Sequence, residues 1–241
     1  MLVIPTYREA ERLPPYLDAL IGQLSSAPFS TVVLIVDDGS PIVEQATLVS
    51  RIPLVNNGKC IVAAPLLQTQ NRRKGAAILA GWQSQDARWR AFVDADGAIP
   101  AGEVRRVFEK VYRENQTEGA YFAVRVRGQS HAIKRSWFRH IASRAFAWSA
   151  GALSGERIRD SQCGFKIITN SSFSRIKTWL RGCGFCFDVE LLVALRRNGI
   201  PVWEVPIDWQ EQPGGKFHIH RHAPRMFLDL VRIRLRAIRD F

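Results

Sequence analysis

The sequence predicts an α/β protein built on a mostly parallel sheet flanked by helices. Short apolar strands alternate along the chain with segments whose apolar residues recur at helical spacing, the pattern of a sheet with crossover helices. The first strands end in polar or acidic turns, as parallel strands that open onto one edge do. With 46% of its 241 residues hydrophobic and 23% charged, the chain can bury one sizeable core and is not of disordered composition.

Taken in order, Leu2 to Pro5 reads as the first strand. Residues 9–24 place Leu13, Leu17, Leu20 and Leu24 at helical spacing, and Pro14-Pro15 suit a helix start. Val32 to Val36 is a continuous apolar strand that ends in Asp37-Asp38-Gly39-Ser40. Cys60 to Ala64 is a third strand, Lys74 to Gln83 a helix, and Ala91 to Val93 a strand ending in Asp94-Ala95-Asp96. A helix over Glu103 to Glu114 and a strand over Ala120 to Val126 follow. The second half reads as a helix over Arg135 to Leu153, a strand at Phe165 to Ile168, a helix at Asp188 to Arg197, a strand at Pro201 to Val205 and a last helix at Arg225 to Arg239. No repeat, low-complexity tract or linker interrupts this order, so residues 1–241 read as a single domain.

The formal charge of +12, from 34 Lys+Arg against 22 Asp+Glu, asks for an anionic partner: nucleic acid, a phosphorylated substrate or an acidic membrane surface. No window approaches the roughly 18 to 20 apolar residues that span a bilayer, so the chain reads as soluble or peripheral. The N-terminus has no basic region or long apolar stretch and hence no signal-peptide pattern; its first strand begins so near Met1 that a start slightly upstream is expected. Cys60, Cys163, Cys183 and Cys186 are too few and irregular for a disulfide scaffold, and the lone Cys183-x-x-Cys186 pair lacks the partners of a zinc site; all four read as reduced structural thiols in a cytoplasmic protein.

Ligands of open α/β sheets bind beyond the carboxyl ends of the strands. Here those ends carry Pro5-Thr6-Tyr7-Arg8-Glu9, Asp37-Asp38-Gly39-Ser40 and Asp94-Ala95-Asp96. Clustered carboxylates are costly unless neutralised, and a divalent cation bound to a diphosphate neutralises them well. Each segment alone has a plain reading as a solvated loop or an Asx turn; their conjunction, each directly after an apolar strand, points to a metal–diphosphate site.

In these residues the chain resembles the inverting family 2 glycosyltransferases, enzymes of the Rossmann-like GT-A fold. The resemblance spans nearly the whole sequence and implies a donor-binding half over 1–126 and an acceptor-binding half over 127–241. It implies that Pro5, Tyr7, Glu9, Asp37 and Asp38 contact the donor nucleotide, that Asp94 and Asp96 hold Mg²⁺ or Mn²⁺ against its diphosphate, and that Lys74, in Asn71-Arg72-Arg73-Lys74-Gly75, lies beside it. The segments Asp160-Ser161-Gln162-Cys163-Gly164-Phe165-Lys166, Phe187-Asp188-Val189-Glu190, Glu204-Val205-Pro206 and Gly215-Lys216 resemble the polyprenyl- and dolichyl-phosphate branch, whose members move one sugar from UDP or GDP onto a lipid phosphate. Arg8 stands where the family usually has Asn, Arg73 where it has Gly, and Ala123-Val124-Arg125 where it has Gly-Ser-Arg.

The resemblance therefore implies transfer of a hexose from a nucleotide sugar, UDP-glucose ahead of GDP-mannose, to a polyprenyl phosphate, by a peripheral protein at the inner face of the membrane. Its catalytic residues would be Asp96, Arg125 and Asp160. Asp160 would orient or deprotonate the acceptor, or else be a structural carboxylate that caps a turn or pairs with Arg159 or Lys166. Asp188 and Glu190 read as acids favouring a helix start. Arg125, Lys216 and Arg234 are the candidates for the acceptor phosphate; Arg234 falls amid the apolar side of the last helix, where it has to snorkel, pair or reach that phosphate. His218 is either a further metal ligand or part of a solvated basic loop with His220 and His222. Winding the last helix puts Arg225, Arg232, Arg236 and Arg239 on one stripe, which suits either a membrane interface or an ordinary helix packed on the sheet, the latter favoured by the pattern alone. Two competing readings are a family 2 transferase with a soluble or polysaccharide acceptor and a basic nucleic-acid-binding protein. The second leaves the acidic strand ends unexplained, and no nucleic-acid-binding motif is present.

Overall fold

A computed structural model describes residues 1–125, 163–210, 212 and 219–240. Its strands are β1 (Leu2–Thr6), β2 (Thr31–Asp37), β3 (Cys60–Val62), β4 (Leu66–Leu67), β5 (Trp89–Val93), β6 (Ala120–Arg125), β7 (Phe165–Thr169) and β8 (Val202–Ile207). Its helices are α1 (Leu13–Ser25), α2 (Ile42–Arg51), α3 (Lys74–Ser84), α4 (Ala101–Glu114), α5 (Asn170–Ile176), α6 (Phe187–Arg197) and α7 (Ile219–Asp240), with a 3₁₀ turn at Gly184–Cys186. The helix expected over Arg135 to Leu153 lies outside the described residues.

The eight strands form one sheet in the order β3-β2-β1-β5-β7-β6-β8, with β4 also paired to β2. All pairings are parallel except those of β7, which runs antiparallel to both β5 and β6. Two antiparallel steps restore direction, so β1, β2, β5, β6 and β8 all end on the same edge. The central strands are apolar on both faces because helices cover both: Leu2 and Ile4 face the layer of α1 and α4, Val3 the layer of α3, α6 and α7. Trp82 anchors the second layer; its ring is fully buried, its Nε1–H donates to the Ala91 carbonyl, and the rings of Phe92, Phe173 and Phe187 surround it.

The first helix starts at Leu13 rather than at Glu9. Residues 9–12 form instead a turn in which the amides of Arg12 and Leu13 reach the Glu9 carbonyl, and the prolines enter only at the first helical turn, where no backbone donor is lost. The last helix begins at Ile219, six residues before the expected start. Its faces also correct the expected stripe. Met226, Leu230, Ile233 and Ala237 turn inward, and Arg236 goes with them, while Phe227, Leu228, Leu235 and Ile238 face out. The reason is chemical: Arg236 stacks on the Trp179 ring, donates to the Trp179 carbonyl and pairs with the wholly buried Glu190. No described helix is long and apolar enough to cross a membrane.

Candidate active site

The acidic edge is assembled from three strand ends tied to one another. The Thr6 carbonyl accepts from the Asp38 amide, and the Arg8 amide donates to the Ser40 hydroxyl, which locks the end of β1 to the turn after β2. Asp37 is buried and accepts from the Ser40 amide, the Ser40 hydroxyl and the Gln45 side chain. Asp38, also buried, accepts from the backbone of Arg72 and Arg73. Its carboxyl is raised above the usual range by burial, against the pull of those two amides. Gly39 follows the two aspartates at φ +72°, and a side chain there would strike the backbone of Gln70 at 2.4 Å. Asp38 thus holds the 68–73 loop directly, and Asp37 does so through Gln45, whose side-chain amide also donates to the Gln68 carbonyl.

That loop sets the start of α3 and delivers Lys74. Its Nζ lies 2.7 Å from Asp94 Oδ1 and 3.8 Å from Asp188 Oδ2, and Asp188 Oδ1 lies 2.7 Å from Lys166 Nζ. The result is an alternating row, Asp94–Lys74–Asp188–Lys166, running from the sheet edge into the core. Burial acts to lower the Lys74 pKa, but Asp94 and Asp188 outweigh it and the net shift is upward, so Lys74 stays charged. Burial raises the Asp94 carboxyl; Lys74 opposes the rise and the neighbouring charge of Asp96 adds to it. Lys166 and Asp188 are 1% and 4% exposed, a buried pair that survives because each charge has its counterion. Lys166 also donates to the Cys163 carbonyl and sits over the rings of Phe92 and Phe122.

Around this row the remaining candidates fall as follows. Asp96 accepts from the Ala98 amide and adds to the field at Arg12 and Tyr16. Glu9 is engaged by both ends of the Arg12 guanidinium. Pro5 is half-buried in β1 opposite Val36, and Tyr7 is exposed beside Arg8. Arg125, at the end of β6, stacks on Trp209; the next residue, Gln210, donates its amide to the Ala98 carbonyl, so this corner adjoins the Asp94–Asp96 turn. Arg234 is half-buried on α7. Asp160, Lys216 and His218 lie outside the described residues.

Two residues were missed. Asp188 reads in sequence as a helix-start acid, yet it is buried between two lysines; its signal was a carboxylate set in the apolar run Phe187 to Leu195. In sequence Lys166 stands only as the end of the 160–166 segment and a partner for Asp160. The four cysteines are free, and the Cys183 thiol, pushed up to about 12 by burial and the adjacent Glu190, donates to that carboxylate.

Both arginines that depart from the family pattern occupy left-handed backbone. Arg8 has φ +57°, the region where Asn is favoured, and Arg73 has φ +77° and ψ 168°, a conformation nearly reserved for Gly. Strain of this kind costs about 1–3 kcal/mol, against which glycine's extra unfolded-state freedom sets up to about 1 kcal/mol. Arg73→Gly is therefore expected to stabilise the protein by about 1 kcal/mol, a rise of about 2–4 °C in a thermal melt. An unchanged or lower melting temperature would mean that the Arg73 side chain recovers the strain through its own contacts.

Helices on both faces of a mostly parallel sheet, with an Asp-x-Asp turn and a lysine at the carboxyl edge of its strands, are the arrangement of a GT-A-type fold. Solved structures share this fold: glucosyl-3-phosphoglycerate synthase from Mycobacterium tuberculosis in complex with Mg²⁺ and UDP superposes with a TM-score of 0.65 at 12% identity, covering 98% of this chain and 78% of that one. Mannosyl-3-phosphoglycerate synthase from Rubrobacter xylanophilus gives 0.63 at 16%, covering 99% and 73%. The chain belongs to glycosyl transferase family 2, whose sequence profile matches residues 1–177. Among similar proteins, the dolichyl-phosphate beta-glucosyltransferase of Dictyostelium discoideum is 30% identical over 248 residues, 98% of this chain and 74% of its own. That of Homo sapiens is 32% identical over 247 residues, 98% and 75%.

Proposed function

We propose that this glycosyltransferase is metal-dependent and inverting, and that it moves glucose from UDP-glucose to a polyprenyl phosphate at a membrane surface. The observation that carries the reading is the pairing of Asp94 and Asp96 at the end of β5 with Lys74 in contact with Asp94. Among the described residues no group of three metal-ligating side chains occurs. Two carboxylates nonetheless fit Mg²⁺ or Mn²⁺, since such ions bind through one or two carboxylates and complete their shell with substrate phosphates. When bound, the ion supplies charge stabilisation at the departing diphosphate. The relatives named for dolichyl phosphate and glucose support the acceptor and sugar.

The chain's own residues do the rest. The 5–9 and 37–40 segments form the floor for the nucleotide, as the donor half within 1–126. Lys74 offers a point charge to phosphate oxygens and Arg125 a planar fork. A lipid phosphate is already ionised near neutrality, with a second pKa of about 6 by analogy with phosphoserine, so it needs orientation more than deprotonation. Asp160 is assigned that orienting role and Lys216 and Arg234 the acceptor phosphate, in the acceptor half over 127–241; His218 is assigned to the ion.

Calorimetry with UDP and GDP, with and without Mn²⁺, tests the donor. Binding of UDP that requires Mn²⁺, with GDP weaker, is the expected result, followed by glucose transfer that requires a polyprenyl phosphate. Tighter GDP binding would replace the glucosyl reading by the mannosyl one, and no nucleotide binding would remove the transferase site itself.

A further inference from the structure

We propose that the outward face of α7 is a docking surface for an anionic lipid bilayer. The helix is two-sided. Its inner side, Met226, Leu230, Ile233 and Ala237, is buried in the core layer of α3 and α6 and is held there by Arg236 on Glu190 and Trp179. The outer side is also apolar, and no described residue covers it: Phe227, Leu228, Leu235 and Ile238 are 58%, 52%, 61% and 61% exposed, with Val231 half-buried between them. At about 100° per residue these five fall within one sector about 100° wide.

Charge names the occupant. Arg225, Arg232 and Arg239, all exposed, line one border of that sector, and Arg234 lies on the other. The acids of the helix are off the face: Asp229 is buried and engaged by Arg232, and Asp240 is engaged by Arg239. An apolar strip bordered by arginines, on a chain of net charge +12, matches a bilayer interface, where apolar residues enter the acyl boundary and basic ones meet anionic headgroups. The exposed apolar residues of α2, Ile42, Val43 and Val49, have no such border, with Glu44 half-buried among them, and fit lipid poorly. Because α7 lacks the apolar length to span, it lies in the plane of the membrane. From Arg225 to Arg239 the face then offers a contact about 21 Å long.

This deepens the lipid-phosphate reading without depending on the donor site. It is tested by sedimenting the full chain with phosphatidylcholine vesicles containing or lacking phosphatidylserine, beside the double variants Leu235→Glu with Ile238→Glu and Arg225→Glu with Arg239→Glu. All four side chains are exposed, so melting temperature and Mn²⁺-dependent UDP binding stay at wild-type values. The expected result is binding to phosphatidylserine vesicles that salt weakens and that falls at least about tenfold in either variant. Equal binding by the variants, no binding by the wild type, indifference to phosphatidylserine, or a dimer that the first variant dissolves would each overturn the proposal. Vesicle binding without UDP binding would leave it standing and defeat the donor reading instead.

Discussion

Replacing Asp94 by asparagine is expected to abolish metal-dependent nucleotide binding and to lower transfer by about 10²–10³-fold, with little effect on folding. The contrast with Asp188 makes the reasoning testable. Lys74 touches both carboxylates, so when Asp94 loses its charge the lysine keeps Asp188 at 3.8 Å and stays paired. Asp94 also sits at the edge of the sheet, where water can reach an amide in its place. Asp188 lies deeper, and its loss strands Lys166, which is 1% exposed. Removing one partner of such a buried pair costs about 3–5 kcal/mol. The same Asp→Asn change at the two ends of one row should thus separate activity from stability. Titrating Mn²⁺ and UDP by calorimetry beside a thermal melt reads both. If Asp94→Asn bound UDP with Mn²⁺ as the wild type does, the carboxylate pair would not be the metal's anchor. If it melted as early as Asp188→Asn, the row would be a structural network first and a donor site second.

How much of this was legible follows from the range over which each signal acts. Strands buried on both faces and helices with one clear apolar stripe announce themselves locally, as β2 and α4 do. Helix α2 did not: it buries only Gln45 and Leu48 and exposes Ile42, Val43 and Val49, so its periodicity has no clean inner face. Strand β4 is two residues long and α5 seven, too short for any period to show. The last helix was recognised but its apolar residues were pooled into one side, because a helix with two apolar faces and an inward arginine looks one-sided on a wheel. Within the site, the strand-end acids and Lys74 could be named from the order of motifs. The pairing of Lys166 with Asp188 joins residues 22 positions apart in sequence across β7 and α6, and no local pattern encodes it. Arg8 and Arg73 were visible as departures; that both fall on left-handed backbone was not.

The Asp160 to Lys166 segment is one of those that resemble the polyprenyl-phosphate branch, and Gly164 supplies a physical reason for part of it. The Gly164 carbonyl accepts from the Asp94 amide at 2.9 Å, and a methyl group on Gly164 would lie 2.0 Å from Asp94 Oδ2 and 2.4 Å from its Cγ. Neither backbone can withdraw easily, because β7 is paired antiparallel with β5 from Val93–Phe165 onward. Gly164→Ala must therefore move the Asp94 carboxylate, and with it the contact to Lys74. A displacement of about 1 Å in a positioning group costs about 10²-fold in rate, so kcat/KM is expected to fall by about that factor while the sheet remains folded. Mn²⁺-dependent UDP binding should weaken in parallel, which distinguishes a displaced carboxylate from an acceptor defect. Gly102→Ala is the control: nothing lies within 4 Å of that position on α4, and activity there should not change. Full activity in Gly164→Ala would show that Asp94 tolerates displacement, and the link between this segment and the metal site would fail. Loss of activity with intact UDP binding would move the role of the segment to the acceptor side.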